Sequence, residues 1–165
     1  WMPVLGILGL FIIPGQSKGA LRYWSLFNTA VTFVLTIILY LNFNPEIAGM
    51  QSQFDIRIPW ISQFNIYYAL SIDGISLPMI VLSGLLFFLC ILSSWTIEKA
   101  VKSYFILFLL LEASVLGVFM AMDFFLFYLF WEVMLIPMFF LIGIWGGATP
   151  SGSSSKRRYQ SRPSG

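Results

Sequence analysis

The feature that most constrains this chain is a set of long apolar segments, each close in length to the thickness of a bilayer. The clearest covers residues 124–146 and reads FFLFYLFWEVMLIPMFFLIGIWG. A membrane-spanning helix needs about 20 predominantly apolar residues. Segments 24–43, 74–95 and 104–122 also meet this length, and segment 1–13 fits roughly half a span. The sequence therefore predicts an all-α integral membrane protein with about five transmembrane helices, the first one truncated.

Composition points to the same class of protein. The 165 residues are 59% hydrophobic and only 10% charged, whereas a soluble domain averages about 25% charged residues. A net charge of +2 gives no indication of a nucleic-acid partner. Histidine is absent and Cys90 is the only cysteine, which argues against a disulfide framework and against a metal, haem or iron–sulfur site built by this chain alone.

The charges of the connections predict an orientation. Lys and Arg concentrate in connections 14–23 and 96–103 and in the tail 148–165, whereas the connection 44–73 and the turn at Asp123 are acidic. Short connections rich in Lys and Arg stay on the cytoplasmic side of a membrane. We therefore expect the N-terminus outside and the C-terminus in the cytoplasm.

The segments outside the helices differ in character. In the outer connection 44–73, apolar and charged residues alternate from 54 to 58, which predicts a short strand ended by Pro59 within a folded cap. The transmembrane region covers 1–147. The rest, 148–165, is rich in Gly, Ser and basic residues and is expected to be a flexible tail.

Of the seven acidic residues, only Glu112 and Glu132 fall deep inside predicted spans. A charged side chain at the centre of such a helix costs about 2.5 kcal/mol or more. Both residues lie roughly 14 to 16 Å from the turn at Asp123 if each residue adds 1.5 Å, which places them near the bilayer midplane. We expect two neutral acids that act as a proton relay, or, alternatively, acids that only hydrogen-bond across helices.

Three other residues are candidates for a structural or secondary role. Asp73 and Asp123 lie at span boundaries, where a carboxylate can reach water. Asp73 can also cap the helix that begins at DGISLP, because helix N-termini favour Asp. Pro137 lacks an N–H group, so the carbonyl of Val133 loses its usual partner and the helix is loosened beside Glu132.

Two stretches, LSIDGISLPMIVLSGLLFFLCILSSW and LFLLLEASVLGVFMAMDFFLFYLFWEVMLIPMFFLIGIWGG, closely resemble the early spans of known membrane subunits. These are the proton-pumping subunits of NADH:quinone oxidoreductase (complex I), of the chain M or subunit 4 type. The resemblance covers 1–147 in span order. Subunits of multisubunit Mrp antiporters share the broader pattern, but the Trp before Glu132 and the IWGG sequence are more similar to the complex I branch.

The resemblance implies an N-terminal fragment of a fourteen-helix antiporter-like subunit. In that family the glutamate of the FWE motif, here Glu132, pairs with a lysine in the seventh span, and Glu112 matches the glutamate of the fourth span. Quinone reduction elsewhere in the complex changes this pairing and drives protons across the membrane. The family continues with lysine-bearing helices after IWGG, so the fragment alone is expected not to pump, and the tail 148–165 is expected not to be native to the family.

The resemblance also implies where cofactors and partners belong. This chain would bind no cofactor or metal, whereas NADH, FMN, iron–sulfur clusters and quinone would belong to other subunits. Its partners would be the lipid bilayer and the other membrane-arm subunits, in a bacterial inner membrane. Two alternatives stay open: a subunit of a multisubunit cation/proton antiporter without redox coupling, and a non-transporting membrane scaffold.

Overall fold

The computed structural model describes residues 2–43, 53–61 and 66–146. In chain order these residues form α1 (Met2–Ile12), α2 (Lys18–Leu41), β1 (Gln53–Ile61), β2 (Ile66–Ile72), α3 (Ser76–Ser93), α4 (Val101–Met120) and α5 (Phe124–Trp145). A short 3₁₀ turn, Ser94–Thr96, follows α3. The predicted flexible tail, 148–165, and part of the outer connection lie outside the described residues, so the structure does not test those predictions.

The predicted class, a helical multi-pass membrane protein, is confirmed. Helices α2, α4 and α5, and α3 together with its 3₁₀ turn, are long and apolar enough to cross a bilayer, and α1 is a shorter apolar helix. Helix α2 begins at Lys18, six residues before the predicted span, and α4 begins at Val101, three before. These first turns carry Lys18, Arg22 and Lys102, whose long side chains let a helix extend beyond the apolar layer.

Helix α4 lies at the centre of the bundle, where it contacts α1, α2, α3 and α5. Its Phe105 and Leu109 pack against Leu10, Leu21 and Ile91, and all five side chains are buried. Each of these five comes from an apolar face at helical spacing, which is why the four helices meet here. The side of α4 that carries Phe105 and Leu109 is therefore covered by other helices.

Glycines allow two of these helix pairs to approach closely. A Cβ added at Gly117 of α4 would lie 2.6 Å from the ring of Phe130 on α5, and one at Gly6 of α1 would lie 2.5 Å from the side chain of Asn28 on α2. Small residues are typical of helix interfaces in membranes, where lipid gives no hydrophobic drive and association depends on close packing.

The outer connection contains an antiparallel hairpin, and one part of the strand prediction was wrong. Strand β1 does not end at Pro59 but continues to Ile61, with Pro59 opposite Tyr67 of β2. Proline is tolerated because each strand of a two-stranded sheet has one edge without a partner strand, where a missing N–H costs no ladder hydrogen bond. The register is irregular immediately after Pro59.

The hairpin packs on the turn between α4 and α5. The N–H of Met122 donates to the carbonyl of Ala69 at 3.0 Å, and Leu70 forms an isolated antiparallel bridge with Ala121. Ile72 of β2 is buried in a second apolar cluster with Ile80 of α3. The hairpin is thus attached to the bundle at the end opposite the basic connections.

At the other end of the bundle, basic side chains close the connections. Lys102 Nζ donates to the carbonyls of Ile13 and Phe11, at 2.9 and 3.2 Å. Arg22 Nη2 donates to the carbonyl of Ile97 at 2.9 Å and lies over the ring of Trp95. A cation beside the last carbonyls of a helix satisfies acceptors that have no partner within the helix.

We expect Gly117→Ala to lower the free energy of unfolding by about 1–3 kcal/mol, because the added methyl overpacks the contact with Phe130. The measurement is denaturant or thermal unfolding of the chain in detergent, followed by circular dichroism. Gly143→Ala is the matched control, because its Cβ would meet nothing within 4 Å. Equal losses for the two variants would contradict the close α4–α5 contact.

Candidate functional site

Glu112 lies on the face of α4 that packs into the bundle. It is four residues after Phe108 and seven after Phe105, so both phenylalanine side chains project within about 40° of Glu112 around the helix axis. Both phenylalanines belong to the buried core, and Glu112 is itself completely buried. The apolar face of α4 therefore carries a carboxyl group into the interior of the bundle.

Neither carboxyl oxygen of Glu112 has a hydrogen-bond partner among the described residues. Burying an unpaired polar group costs about 1–3 kcal/mol, and an isolated charge costs far more. The sequence places every Lys and Arg outside the middle of α2, α3, α4 and α5, so no cation of these four helices lies at this level. The surroundings therefore favour a neutral glutamic acid at this position, and they leave its oxygens available to water.

Glu132 lies on the opposite side of its helix. The buried residues of α5 are Leu126 and Pro137. Around the helix axis, Glu132 projects about 120° away from Leu126 and about 140° away from Pro137. Its side chain is exposed. The hydroxyl of Tyr128, one turn earlier on α5, lies near its carboxylate.

The structure thus answers whether the two glutamates face each other. Glu112 lies eight residues before the end of α4 and Glu132 eight residues after the start of α5, so both are about 12 Å from the turn that joins the helices. Their depths match, but one carboxyl group faces the interior and the other faces outward. They share no hydrogen bond, since Glu112 has none in the described chain.

Pro137 is buried on the bundle side of α5. Val133, whose carbonyl Pro137 leaves without its usual partner, lies within about 40° of Pro137 around the axis. The loosened stretch of backbone therefore faces the bundle, on the side away from the Glu132 carboxylate.

Asp73 and Asp123 both accept hydrogen bonds from the first turn of a helix. Asp73 Oδ1 accepts from the N–H of Ser76 at 2.7 Å, and Asp123 Oδ1 accepts from the N–H of Phe125 at 2.8 Å. Asp123 is the N-cap of α5, and its other oxygen lies 3.5 Å from the N–H of Tyr67 on the hairpin. These contacts indicate a capping role for each carboxylate.

The electrostatics of Asp73 agree with capping. Hydrogen bonds from the Ser76 hydroxyl and then from the Ser76 N–H hold the pKa of the Asp73 carboxyl below its usual value, because they favour the ionised form. The positive end of the α3 dipole acts in the same direction.

Sequence reasoning missed a polar stripe on α2, which consists of Ser25, Asn28, Thr29, Thr32 and Thr36. All five side chains are buried. The four hydroxyls each donate to a carbonyl of their own helix, whereas Oδ1 of Asn28 has no partner. A signal was present in the sequence, since polar residues recur at helical spacing within a membrane span.

Within the described ranges no three His, Cys, Asp or Glu side chains come together as a metal-binding cluster.

Fold and site together define a helical multi-pass membrane protein that carries acids within its membrane-spanning helices. Residues 121–159 match the sequence model of a family described as NADH:quinone oxidoreductase/Mrp antiporter, TM. The chain is 39% identical over 145 residues to NADH-ubiquinone oxidoreductase chain 4 of Chondrus crispus, and 43% identical over 144 residues to NADH-quinone oxidoreductase subunit M of Rhodobacter capsulatus. The chain belongs to this family of subunit M and chain 4 proteins, as its FWE and DGIS sequences predicted.

The aligned regions cover 87% of this chain in both relatives, but only 29% and 27% of the relatives themselves. The chain thus spans less than a third of their length. Among solved structures, the fold is similar to a chain of the membrane-bound sulfane sulfur reductase (MBS), described as an archaeal respiratory membrane complex. That match has a TM-score of 0.66 and 22% identity, and covers 86% of this chain and 21% of the other. At this identity it supports a shared fold.

We expect Asp73→Ala to lower the free energy of unfolding by about 1 kcal/mol at neutral pH, because α3 loses its cap. The folded-state pKa of Asp73 lies below its unfolded-state value. Its contribution is therefore complete above the unfolded-state pKa and disappears as the pH falls through the folded-state pKa. Unfolding in detergent at several pH values measures this. Glu98→Ala, at an exposed acid in the α3–α4 connection, is the control; a pH-independent loss in Asp73→Ala would contradict the charged cap.

Proposed function

We propose that this chain forms the Glu112 and Glu132 part of a proton-pumping membrane subunit of respiratory NADH:quinone oxidoreductase. Glu132 is the charge-paired carboxylate of the proton pathway, and Glu112 is a second proton carrier inside the bundle. The observation that carries this proposal is the position of Glu132, an acid at mid-helix on an exposed face of α5.

That face of α5 needs a protein partner. It carries exposed apolar side chains before and after Glu132 along the helix, among them Phe125, Ile136 and Phe139. A carboxylate among them in contact with lipid would cost about 2.5 kcal/mol or more. A further helix that places a cation against Glu132 would offset this cost, and the lysine implied by the family resemblance supplies that charge. The relatives have ample chain for such a helix, since their matched part is less than a third of their length.

The chemistry of the pair is a proton transfer controlled by distance. When the cation is close, it favours the ionised form of Glu132, which then releases its proton to water or to a neighbouring acid. When the cation moves away, the apolar surroundings favour the neutral form, and Glu132 takes a proton up again. The hydroxyl of Tyr128 lies near the carboxylate, and a hydroxyl can accept a hydrogen bond from the neutral acid or donate one to the ionised form.

Coupling to a redox reaction belongs to the whole complex. We propose that NADH, FMN, iron–sulfur clusters and quinone bind to other subunits, and that this chain holds none of them and does not pump alone. Its partners are the other membrane-arm subunits and the bilayer, with no nucleic acid.

The basic end of the bundle, with Arg22 and Lys102, faces the cytoplasm of a bacterial cell, and the hairpin lies outside.

We expect Glu132→Gln, made in the full-length protein within its complex, to reduce proton pumping on the order of 10²-fold or more. Glutamine keeps the size and the polar contact to Tyr128 but can neither carry a proton nor pair with a cation. The measurement is NADH-driven acidification in membrane vesicles, beside NADH oxidation and the amount of assembled complex. Glu98→Gln, outside the helices, is the control. Normal pumping by an assembled Glu132→Gln complex would overturn the role of this residue.

We expect Glu112→Gln to reduce pumping by less than Glu132→Gln, because a buried neutral acid relays protons but forms no ion pair. The same vesicle assay measures it. If pumping is unchanged while assembly falls, Glu112 is a packing residue, as the scaffold alternative predicts. If vesicles exchange Na⁺ for protons at an undiminished rate without NADH or quinone, the antiporter alternative holds for the whole protein.

A further inference from the structure

Two buried polar side chains without partners lie on helices that contact each other. Glu112 of α4 is 0% exposed and neither carboxyl oxygen is hydrogen-bonded, and Asn28 of α2 is 2% exposed with its Oδ1 unpaired. In the described part of the bundle these are the intramembrane groups with unsatisfied buried oxygens. Each carries the desolvation cost of a buried polar group unless something pairs with it.

Both residues lie at the same level of the bundle. Helices α2 and α4 contact each other and run in the same direction, because both begin at the basic end and Leu39 and Leu116 both pack against the apolar cluster beside the hairpin. Leu21 of α2 and Phe105 of α4 pack in one cluster, and Asn28 and Glu112 each follow seven residues later. Seven residues make about two turns, so Asn28 and Glu112 each lie on the same face of their helix as the cluster residue two turns before them.

We propose that Asn28 is the positioning partner of Glu112, and that its side-chain amide holds the Glu112 carboxyl group across the α2–α4 interface through a bridging water. The proposed contact adds a positioning partner to the relay role proposed for Glu112. Only the importance of this contact for pumping rests on that role. The contact itself is a separate claim.

An asparagine suits this task because it can serve both protonation states of the acid. Its Oδ1 accepts a hydrogen bond from a neutral carboxyl group, and its Nδ2 donates to an ionised one. The neighbouring hydroxyls of Thr29 and Thr32 already donate to carbonyls of their own helix, so they offer only acceptor lone pairs. Asn28 is thus the side chain of the polar stripe that can stabilise Glu112 after it has released its proton.

Space for water lies next to this level. A groove of about 470 Å³ between α1, α2, α3 and α4 has Thr32 and Leu116 in its lining, and it lies beside Asn28 and Glu112 without being lined by them. Thr32 and Leu116 lie one helical turn beyond Asn28 and Glu112, respectively. A water molecule occupies about 30 Å³ in the liquid and needs two to four polar partners, which the unpaired oxygens of the two side chains can provide.

Asn28 is also held in place. A Cβ at Gly6 of α1 would lie within 2.7 Å of three atoms of its side chain, so α1 packs directly against the amide. The carbonyl of Asn28 accepts the Thr32 hydroxyl at 3.0 Å. A side chain confined between two helices is a better positioning group than a mobile one, since less conformational entropy is lost when the hydrogen bond forms.

The test is infrared difference spectroscopy of the complex that contains the full-length protein. The carboxyl C=O band of Glu112 is first assigned by its disappearance in Glu112→Gln. We expect Asn28→Leu to shift this band to the higher frequency of an acid that has lost its hydrogen bond. Asn28→Ser, which keeps an acceptor and leaves room for water, should hold the band near its original frequency. Asn42→Leu, at the exposed end of the same helix, is the control and should leave the band unchanged.

An unchanged Glu112 band in an assembled Asn28→Leu complex would overturn the proposal, whatever happens to pumping. If Asn28→Leu does not assemble, a high-resolution structure of the unmodified complex decides the matter. A water within hydrogen-bond distance of both side chains supports the proposal, and a dry gap between them overturns it. Because the band reports the contact alone, a failure of the pumping test in Glu112→Gln would remove the relay role and leave this contact standing.

Discussion

The burial of a carboxyl group inside an apolar bundle is the constraint on which the rest of this structure depends. Glu112 reaches the interior because it continues the face of α4 that carries Phe105 and Phe108, and α4 is the helix that all the others contact. Neither lipid nor an apolar core offers a partner to such a group. The polar stripe on α2 supplies the nearest polar surface, and Asn28 is the one member of that stripe whose side-chain oxygen is still unpaired.

The pair α4–α5 separates two acids that lie at equal depth. A turn of three residues joins the helices, and the close contact of Gly117 with Phe130 fixes their crossing. Glu112 faces the interior of the bundle, and Glu132 faces outward from α5. This division gives the two glutamates different surroundings, and surroundings decide the charge of a carboxyl group. Glu132 is suited to pairing with an external cation, whereas Glu112 is suited to holding a proton within the bundle.

Capping interactions keep this arrangement in register. Asp123 begins α5 and also approaches the hairpin, which is bonded to the same turn through Met122 and Ala69. Asp73 follows β2 directly and accepts the N–H of Ser76, the first residue of α3. Both carboxylates sit at the membrane boundary and bind backbone N–H groups, which gives them a structural explanation that Glu112 and Glu132 lack. The acids of the chain thus divide by position into caps and intramembrane groups.

The sequence by itself determined the helices, because about 20 apolar residues in a row have few other solutions in a bilayer, and it determined the family through the FWE and DGIS sequences. It also identified Glu112 and Glu132, since an acid at such depth is conspicuous. It did not reveal that strand β1 passes Pro59, because that depends on which edge of the strand is paired. Only the tertiary structure decided which way each acid faces and that Asn28 and Glu112 are both buried with unpaired side-chain oxygens. When a helix is apolar on every side, its sequence pattern does not indicate which face packs against the other helices. Close packing between the helices determines that face.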